Sequence, residues 1–546
     1  MTTPEVFSKF TQKIATYENG KAYSTTIDDD LCTIFTLGGL NGEFYEDAQT
    51  AINKIDMTLK YALQFCPELA TKYAIYSAET LKMKLMPTIW LVYLSVLNDK
   101  TLFKKAFPRI INKNIKLLHD FINICRNSSI RPGGHMKQKI KNSNTGVGSG
   151  IKKVINNYLY EIMNDYNVTR FTGKLEDICH VTRIKDTEES KKYLDYIFKP
   201  KNQNRRLTFD RAKYLDETIK ILSNSDKNFP TEAQLNVVLE HIQKYKIQMD
   251  EIKFIFGNLS LEVLKQIYSY FIPTLNYAAL ITNLVAIERV WATSTQEIYK
   301  DKYIQIEVLE TNIPQDIIDI VTKKIKDLQA YHNSGLFFMR LYEASLMVKT
   351  SIWKKALSEV FLTTAKDAFK DVNNIKVRIS ADTSGSMKTQ LNSSSLFAID
   401  VAAYFTAACA LSIPNTKAYA TATITKEVPL VTDNITLCAN EIKQTNVGWG
   451  TKFETLLQGY NNEEIVLIIT DTQQSNNIEQ AWKKLKKPKN AKFIIWDIVG
   501  YIQRNRISND PSILYVRGYS DRTISLISNL ILGKAGQKEV VNNVII

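Results

Sequence analysis

The sequence predicts a mainly α N-terminal region, an α-solenoid of stacked helices, followed by a C-terminal α/β domain with a doubly wound, mainly parallel sheet. Three observations predict it. Apolar residues recur at three- and four-residue steps almost everywhere from about Ala48 to Phe369. Beyond about Asp371, short apolar strands alternate with helical segments. A chain of 546 residues also exceeds what one core usually organises.

The helical pattern is clearest after Pro108, where Ile110, Ile111, Ile115, Leu117, Leu118, Phe121 and Ile122 trace one face. Proline is tolerated at a first helical position, because its missing N–H would be unpaired there anyway. Pro87 ahead of 88–97 and Pro273 ahead of 275–290 read as the same device. Further helices are expected over 150–166, 207–223, 232–245, 261–271, 314–328 and 334–369. No strand alternation is read among them. No fixed-period repeat is present, so the solenoid rests on the helix series alone.

In the C-terminal part, strands are expected at 375–381, 417–423, 465–469, 493–499 and 513–516, with helices at 396–411, 479–487 and 520–532. The run Ile465 to Ile469 suits a strand covered on both faces. Ile375, Val377 and Ile379 alternate with Lys376, Arg378 and Ser380, which predicts a first strand less buried than a central one.

The hydrophobic fraction of 45% and charged fraction of 23% are those of a globular protein. No run of about 18 apolar residues occurs, so no membrane helix is expected. Met1 to Gly20 lacks the apolar run of a secretory signal. Cys32, Cys66, Cys125, Cys179, Cys409 and Cys438 form no metal-site spacing and read as reduced, mostly buried thiols, so a cytoplasmic location is expected. Net charge is +14, and twelve Lys or Arg stand against the single acid Asp120 between Thr101 and Tyr160, a local charge of +11. So concentrated an excess points to a polyanion-binding surface, with nucleic acid first and an anionic membrane or acidic protein behind it.

Ala381-Asp382-Thr383-Ser384-Gly385-Ser386 places a D-x-S-x-S pattern directly after a predicted strand. Ligands gather at the carboxyl ends of strands in a doubly wound sheet. Two hydroxyls on alternate residues of a tight loop can face one ion, and Gly385 permits the turn. Asp471 follows another strand, and Gly448-Trp449-Gly450-Thr451 lies between them, ahead of a helix expected over 453–460. Hydroxyl and carboxylate oxygens suit a hard cation: Mg²⁺, or another divalent ion such as Mn²⁺. Taken alone, D-x-S-x-S is a common loop or helix-start pattern. Its strand context and its separate Thr and Asp partners make it specific.

This constellation resembles the metal-ion-dependent adhesion site of von Willebrand factor A domains. The resemblance implies that Ser384, Ser386 and Thr451 contact the metal, that Asp382 and Asp471 act largely through water, and that a partner's carboxylate completes the coordination. The preceding region resembles the TROVE module of Ro, telomerase-associated and vault proteins. The likeness is carried by Leu37-Gly38-Gly39-Leu40 with Phe44-Tyr45, by Lys84 to Ile89, and by Arg131-Pro132-Gly133-Gly134. It continues through Gly148 to Ile155 with Asn157-Tyr158-Leu159, then Leu175 to His180, then Ile272 to Leu275 and Asn283-Leu284. The chain departs from the family pattern at Val181-Thr182-Arg183-Ile184-Lys185. The order TROVE then A domain, here 24–370 and 371–540, is that of Ro proteins.

That resemblance implies HEAT-like helical repeats bent into a ring and closed by the A domain. It also implies binding of small noncoding Y RNAs outside, and of misfolded or single-stranded RNA ends inside, in RNA quality control with exoribonucleases. The RNA contacts expected are Arg131, Lys137, Lys139, Lys141, Lys152 and Lys153, where the basic window meets the best-matching segment. His180 matches a family histidine important for RNA, although a lone histidine beside Cys179 on a helix is otherwise more often a packing residue. The chain is expected to be a monomeric ribonucleoprotein component without catalytic activity. Asp382 and Asp471 are conceivable as a nuclease pair, but a hydroxyl-rich ligand set is that of a binding site. The alternative is a Mg²⁺-dependent adaptor that docks an acidic protein partner.

Overall fold

The computed structural model describes residues 13–15, 21–23, 25–37, 47–127, 147–198, 207–223, 230–300, 303–336, 339–391, 396–474, 477–499 and 507–546. Its chain divides into two compact units. One comprises Met1–Tyr93, Gly335–Leu346 and Lys355–Ile546, the other Leu94–Ser334 and Met347–Lys354.

The second unit is a succession of helices, among them Thr101–Ile111, Ile115–Asn127, Ser149–Ile162, Thr172–Thr182, Glu232–Tyr245, Leu261–Thr274 and Tyr277–Val290. Their ends follow local chemistry. Thr231, Ser260 and Asn276 accept hydrogen bonds from the backbone N–H three residues on, satisfying a donor that the helix itself leaves orphaned. Asn112, Arg183 and Lys246 stop their helices in the left-handed region. Phe103, Phe107 and Phe121 pack their rings together in the core in tilted and edge-on pairs, with Tyr158 edge-on to Phe107 at 5.3 Å.

Two expectations about proline fail here. Pro108 lies in the last turn of Thr101–Ile111, and a new helix begins at Ile115 after the left-handed pair Asn112 and Lys113. Pro273 likewise sits near the end of Leu261–Thr274, while Asn276 caps the next helix. In a last turn a proline forfeits the bond its N–H would make to the carbonyl four residues earlier, so these two positions carry a cost that a first turn would not.

Strands are numbered in chain order. β1 (Lys13–Ala15) pairs with β2 (Lys21–Tyr23), and β3 (Ala292–Lys300) with β4 (Tyr303–Thr311), both antiparallel. The β3–β4 hairpin corrects the expectation of an uninterrupted helical region. Its period-two signal, Ile304, Ile306 and Val308 between polar residues, was in the sequence.

The first unit holds β5 (Val377–Asp382), β6 (Thr416–Thr421), β7 (Thr425–Glu427), β8 (Ile465–Thr470), β9 (Lys492–Asp497) and β10 (Ile513–Arg517). Their order is β10-β9-β8-β5-β6-β7, parallel throughout except for β7. Helix Ala398–Ser412 packs against β5, β6 and β8, and its buried Ala402, Ala403, Ala407 and Ala408 are small enough to allow close approach. The opposite core gathers Phe453, Leu456, Trp482, Phe493 and Ile495. The N-terminal helix Ile27–Leu37 belongs to this unit and packs against β10.

β5 is central and buried along its whole length, contrary to its alternating sequence. Arg378 is only 3% exposed. Its guanidinium bonds Glu463 at 2.8 Å and donates to the carbonyls of Leu456, Gln458 and Gly459. Ser380 shares a hydrogen bond with Thr421 at 2.7 Å. A buried charge is tolerable when it is paired and its donors are satisfied.

Candidate metal centre and basic surface

β5 lies where the strand order reverses, with β6 on one side and β8 on the other, so its carboxyl end opens a crevice in the sheet edge. Asp382 is the last residue of β5 and Asp471 follows the last residue of β8. Asp382 Oδ1 accepts the Ser384 N–H at 2.9 Å, which turns the loop back over the strand end. Ser384 and Ser386 then bring their hydroxyl oxygens to 3.3 Å. Gly385 N–H donates to the Trp449 carbonyl at 3.0 Å, tying this loop to the one that carries Thr451. Asp382, Ser384, Ser386, Thr451 and Asp471 are all buried.

The Thr451 loop is built around Gly448, at φ +90°, where a Cβ would meet Thr423 Oγ1 at 2.7 Å and its Cβ at 2.8 Å. Thr423 Oγ1 in turn accepts the Gly450 N–H at 3.0 Å. The helix expected over 453–460 is a short 3₁₀ turn, Phe453–Leu457.

Sequence reasoning missed several supporting residues. Thr470 Oγ1 donates to Asp382 Oδ2 at 2.6 Å. Ser380, Thr421, Thr425 and Thr455 form a chain of hydroxyl contacts beneath the site, each 2.7 to 2.9 Å long. Thr472 is held at φ +64°, a conformation that a β-branched residue adopts only when its surroundings impose it. Only the threonine richness of 421–425 and 470–472 hinted at this.

Burial raises the Asp471 carboxyl well above its ordinary range, and the neighbouring Asp382 charge adds to the rise; the Ser386 hydroxyl and the Gln473 N–H offset part of it. Asp471 Oδ2 is buried with no hydrogen-bond partner. Two crowded buried carboxylates, an orphaned oxygen and a pair of adjacent hydroxyls are the donor set of a hard-cation site, so the residues fit Mg²⁺. Among the described residues no cluster of His, Cys, Asp and Glu offers another metal site. All six cysteines are free.

In the helical unit, Lys152 and exposed Lys153 stand in the first two turns of Ser149–Ile162, whose start has open space around Gly148 and Gly150. Partial burial and the nearby Arg183 charge both lower the Lys152 pKa. Lys153 borders a cleft of about 480 Å³ with Lys100, Lys104, Tyr158 and Asn157. His180 is exposed, one turn before Arg183, with its ring edge-on to Phe198 at 4.9 Å. Arg126, also in the basic window, is engaged by Asp177 at 2.8 Å. Arg131, Lys137, Lys139 and Lys141 lie outside the described residues, as do Gly38 to Tyr45 of the TROVE-like pattern.

A helical series followed by a doubly wound sheet with hydroxyls and carboxylates at its switch point defines the class: a helical array with a von Willebrand factor A-like domain. The chain is similar in structure to the Ro (Rsr) protein of Deinococcus radiodurans. The TM-score is 0.54, over 93% of this chain and 100% of that one, at 14% sequence identity. The likeness establishes the Ro-like fold. No protein-family model matches the chain, and no curated protein is similar to it in sequence. Among the described residues no helix is long and apolar enough to cross a membrane.

Proposed function

We propose that this chain is a non-catalytic RNA-binding scaffold, a ribonucleoprotein component that takes small noncoding, Y-like RNAs and misfolded or single-stranded RNA ends in RNA quality control. The observation that carries the reading is the cationic group Lys152, Lys153 and Arg183 at and beside an open helix start, within a strongly basic part of the chain. Lysine and arginine there contact phosphates, and free helical N–H groups add donors for the same oxygens. Exposed His180 borders this group. The Ro-like fold supports the same reading. Filter binding of a small structured RNA tests it: Lys152→Glu with Lys153→Glu weakens binding at least about tenfold at moderate salt, two phosphate contacts being lost. Unchanged affinity would overturn it. The non-catalytic part predicts no Mg²⁺-dependent RNA cleavage, and turnover that disappears in Asp471→Ala would contradict it.

A second reading is favoured by the metal centre. Trp449, 70% exposed and stacked under Lys388 at 4.0 Å, stands beside the hydroxyl loop. Here the A-like domain docks a carboxylate of an acidic protein partner, such as an exoribonuclease, through Mg²⁺. The two readings separate by chelation, since partner capture is lost with EDTA while RNA binding by the helical unit persists.

A further inference from the structure

Away from the metal centre, Arg517 ends the edge strand β10 and is only 2% exposed. Its backbone is held on both sides by one side chain: Arg517 N–H donates to Gln537 Oε1 at 3.1 Å, and Gln537 Nε2 donates to the Arg517 carbonyl at 3.0 Å. The guanidinium is not held in this way. Asp29 Oδ1 at 3.6 Å and Asp497 Oδ2 at 3.9 Å are close enough to pair electrostatically, yet beyond hydrogen-bond reach. Arg517 Nε is buried with no hydrogen-bond partner. Buried arginines normally spend their five donors, and Arg378 on the same sheet does so.

Arg517 faces a cleft of about 380 Å³ that Lys492, Lys534 and Lys538 also line, against only two lining carboxylates, Asp29 and Glu539. Lys538 bonds Asp28 and Asp29 at 2.7 and 2.8 Å, so Asp29 is shared between two cations. Lys492 uses one donor on the Leu530 carbonyl at 2.6 Å, and Lys534 is exposed at the rim. Pro511, Leu514 and Leu530 supply an apolar wall.

We infer that this cleft binds a small phosphomonoester, its phosphate against the Arg517 guanidinium and Lys534, its organic part along Pro511 and Leu514. A planar guanidinium whose Nε–H has no hydrogen-bond partner, with lysine point charges beside it, matches a dianionic tetrahedral group better than a single carboxylate. The volume exceeds what inorganic phosphate fills, and the apolar wall accounts for the remainder. The site uses neither the metal ligands nor the basic helical surface, so it stands or falls independently of the proposed function.

Calorimetry and thermal melting of the full chain test it with adenosine 5′-monophosphate, inorganic phosphate and adenosine. The monophosphate is expected to bind and raise the melting temperature, and adenosine to do neither. Lys534→Glu, at an exposed position, is expected to weaken binding about tenfold, and Arg517→Gln to abolish it. Should Arg517→Gln fail to fold, the Lys534→Glu comparison still decides. The inference is overturned if the monophosphate does not bind at millimolar concentration, if phosphate alone or adenosine binds equally well, or if Lys534→Glu binds like the parent chain.

Discussion

Thr470 Oγ1 and Asp382 Oδ2 meet at 2.6 Å across the neighbouring strands β8 and β5, so the residue before one acidic position orients the other. With the Ser384 N–H on Oδ1, both oxygens of Asp382 are committed to fixed donors. Partners behind a metal's ligands set their orientation, and losing one typically costs about 10- to 100-fold in affinity. Thr470→Val keeps the shape and removes the hydroxyl. It is expected to weaken Mg²⁺ or Mn²⁺ binding by that factor in calorimetry, and Asp382→Ala with Ser384→Ala to remove it. Equal uptake by the double variant would end the metal assignment.

Gly448 is the second support of the site. An added methyl group would stand within 2.8 Å of Thr423, whose hydroxyl also holds Gly450, and the backbone there is left-handed. Gly448→Ala is therefore expected to destabilise the chain by more than about 1 kcal/mol in urea unfolding and to weaken the metal site with it. Gly459, also left-handed but with open space around it, is the control: Gly459→Ala carries only the backbone strain and leaves metal binding unchanged.

The change of grammar near Asp371 and the strand ends that carry Asp382 and Asp471 were legible, because period and loop chemistry are local. The burial of β5 was not. The Arg378 charge is neutralised by Glu463, 85 residues later, and no local pattern encodes that partner. The misplaced helix starts at Pro108 and Pro273 have a different origin: the boundary is set by the neighbouring caps, left-handed Asn112 closing one helix and Asn276 opening the next. The hydroxyl chain from Ser380 to Thr455 likewise exists only once β5, β6 and the 3₁₀ turn have been brought together.

Asp29 gives the acid limb of stability a specific origin. Burial alone would raise its carboxyl, but the Arg517 guanidinium and the Lys538 ammonium outweigh it and hold the group well below the usual carboxylate range. A depressed acid binds fewer protons folded than unfolded. The stability it contributes is present above the unfolded value of about 4 and is lost as pH falls through the folded one. Asp29→Asn should be about 3 kcal/mol less stable at neutral pH, because Lys538 and Arg517 lose their shared partner. Its unfolding midpoint should also fall less steeply than the parent's from about pH 5 downward. Parallel acid limbs for the two proteins would show that another carboxylate carries the effect.

RNA binding by the basic helical surface should carry a salt signature that distinguishes phosphate contacts from base contacts. Each lysine on a phosphate releases condensed counterion, and contributes about 0.7 to 0.9 to the slope of log affinity against log salt. Lys152→Gln with Lys153→Gln should flatten that slope by about 1.5, with nearly the same loss for RNAs of unrelated sequence. His180→Ala should behave differently. An exposed imidazole against Phe198 offers a ring face and a hydrogen bond, so affinity should drop while the slope stays unchanged. A flattened slope in His180→Ala, or an unaltered one in the lysine variant, would assign the contacts the other way.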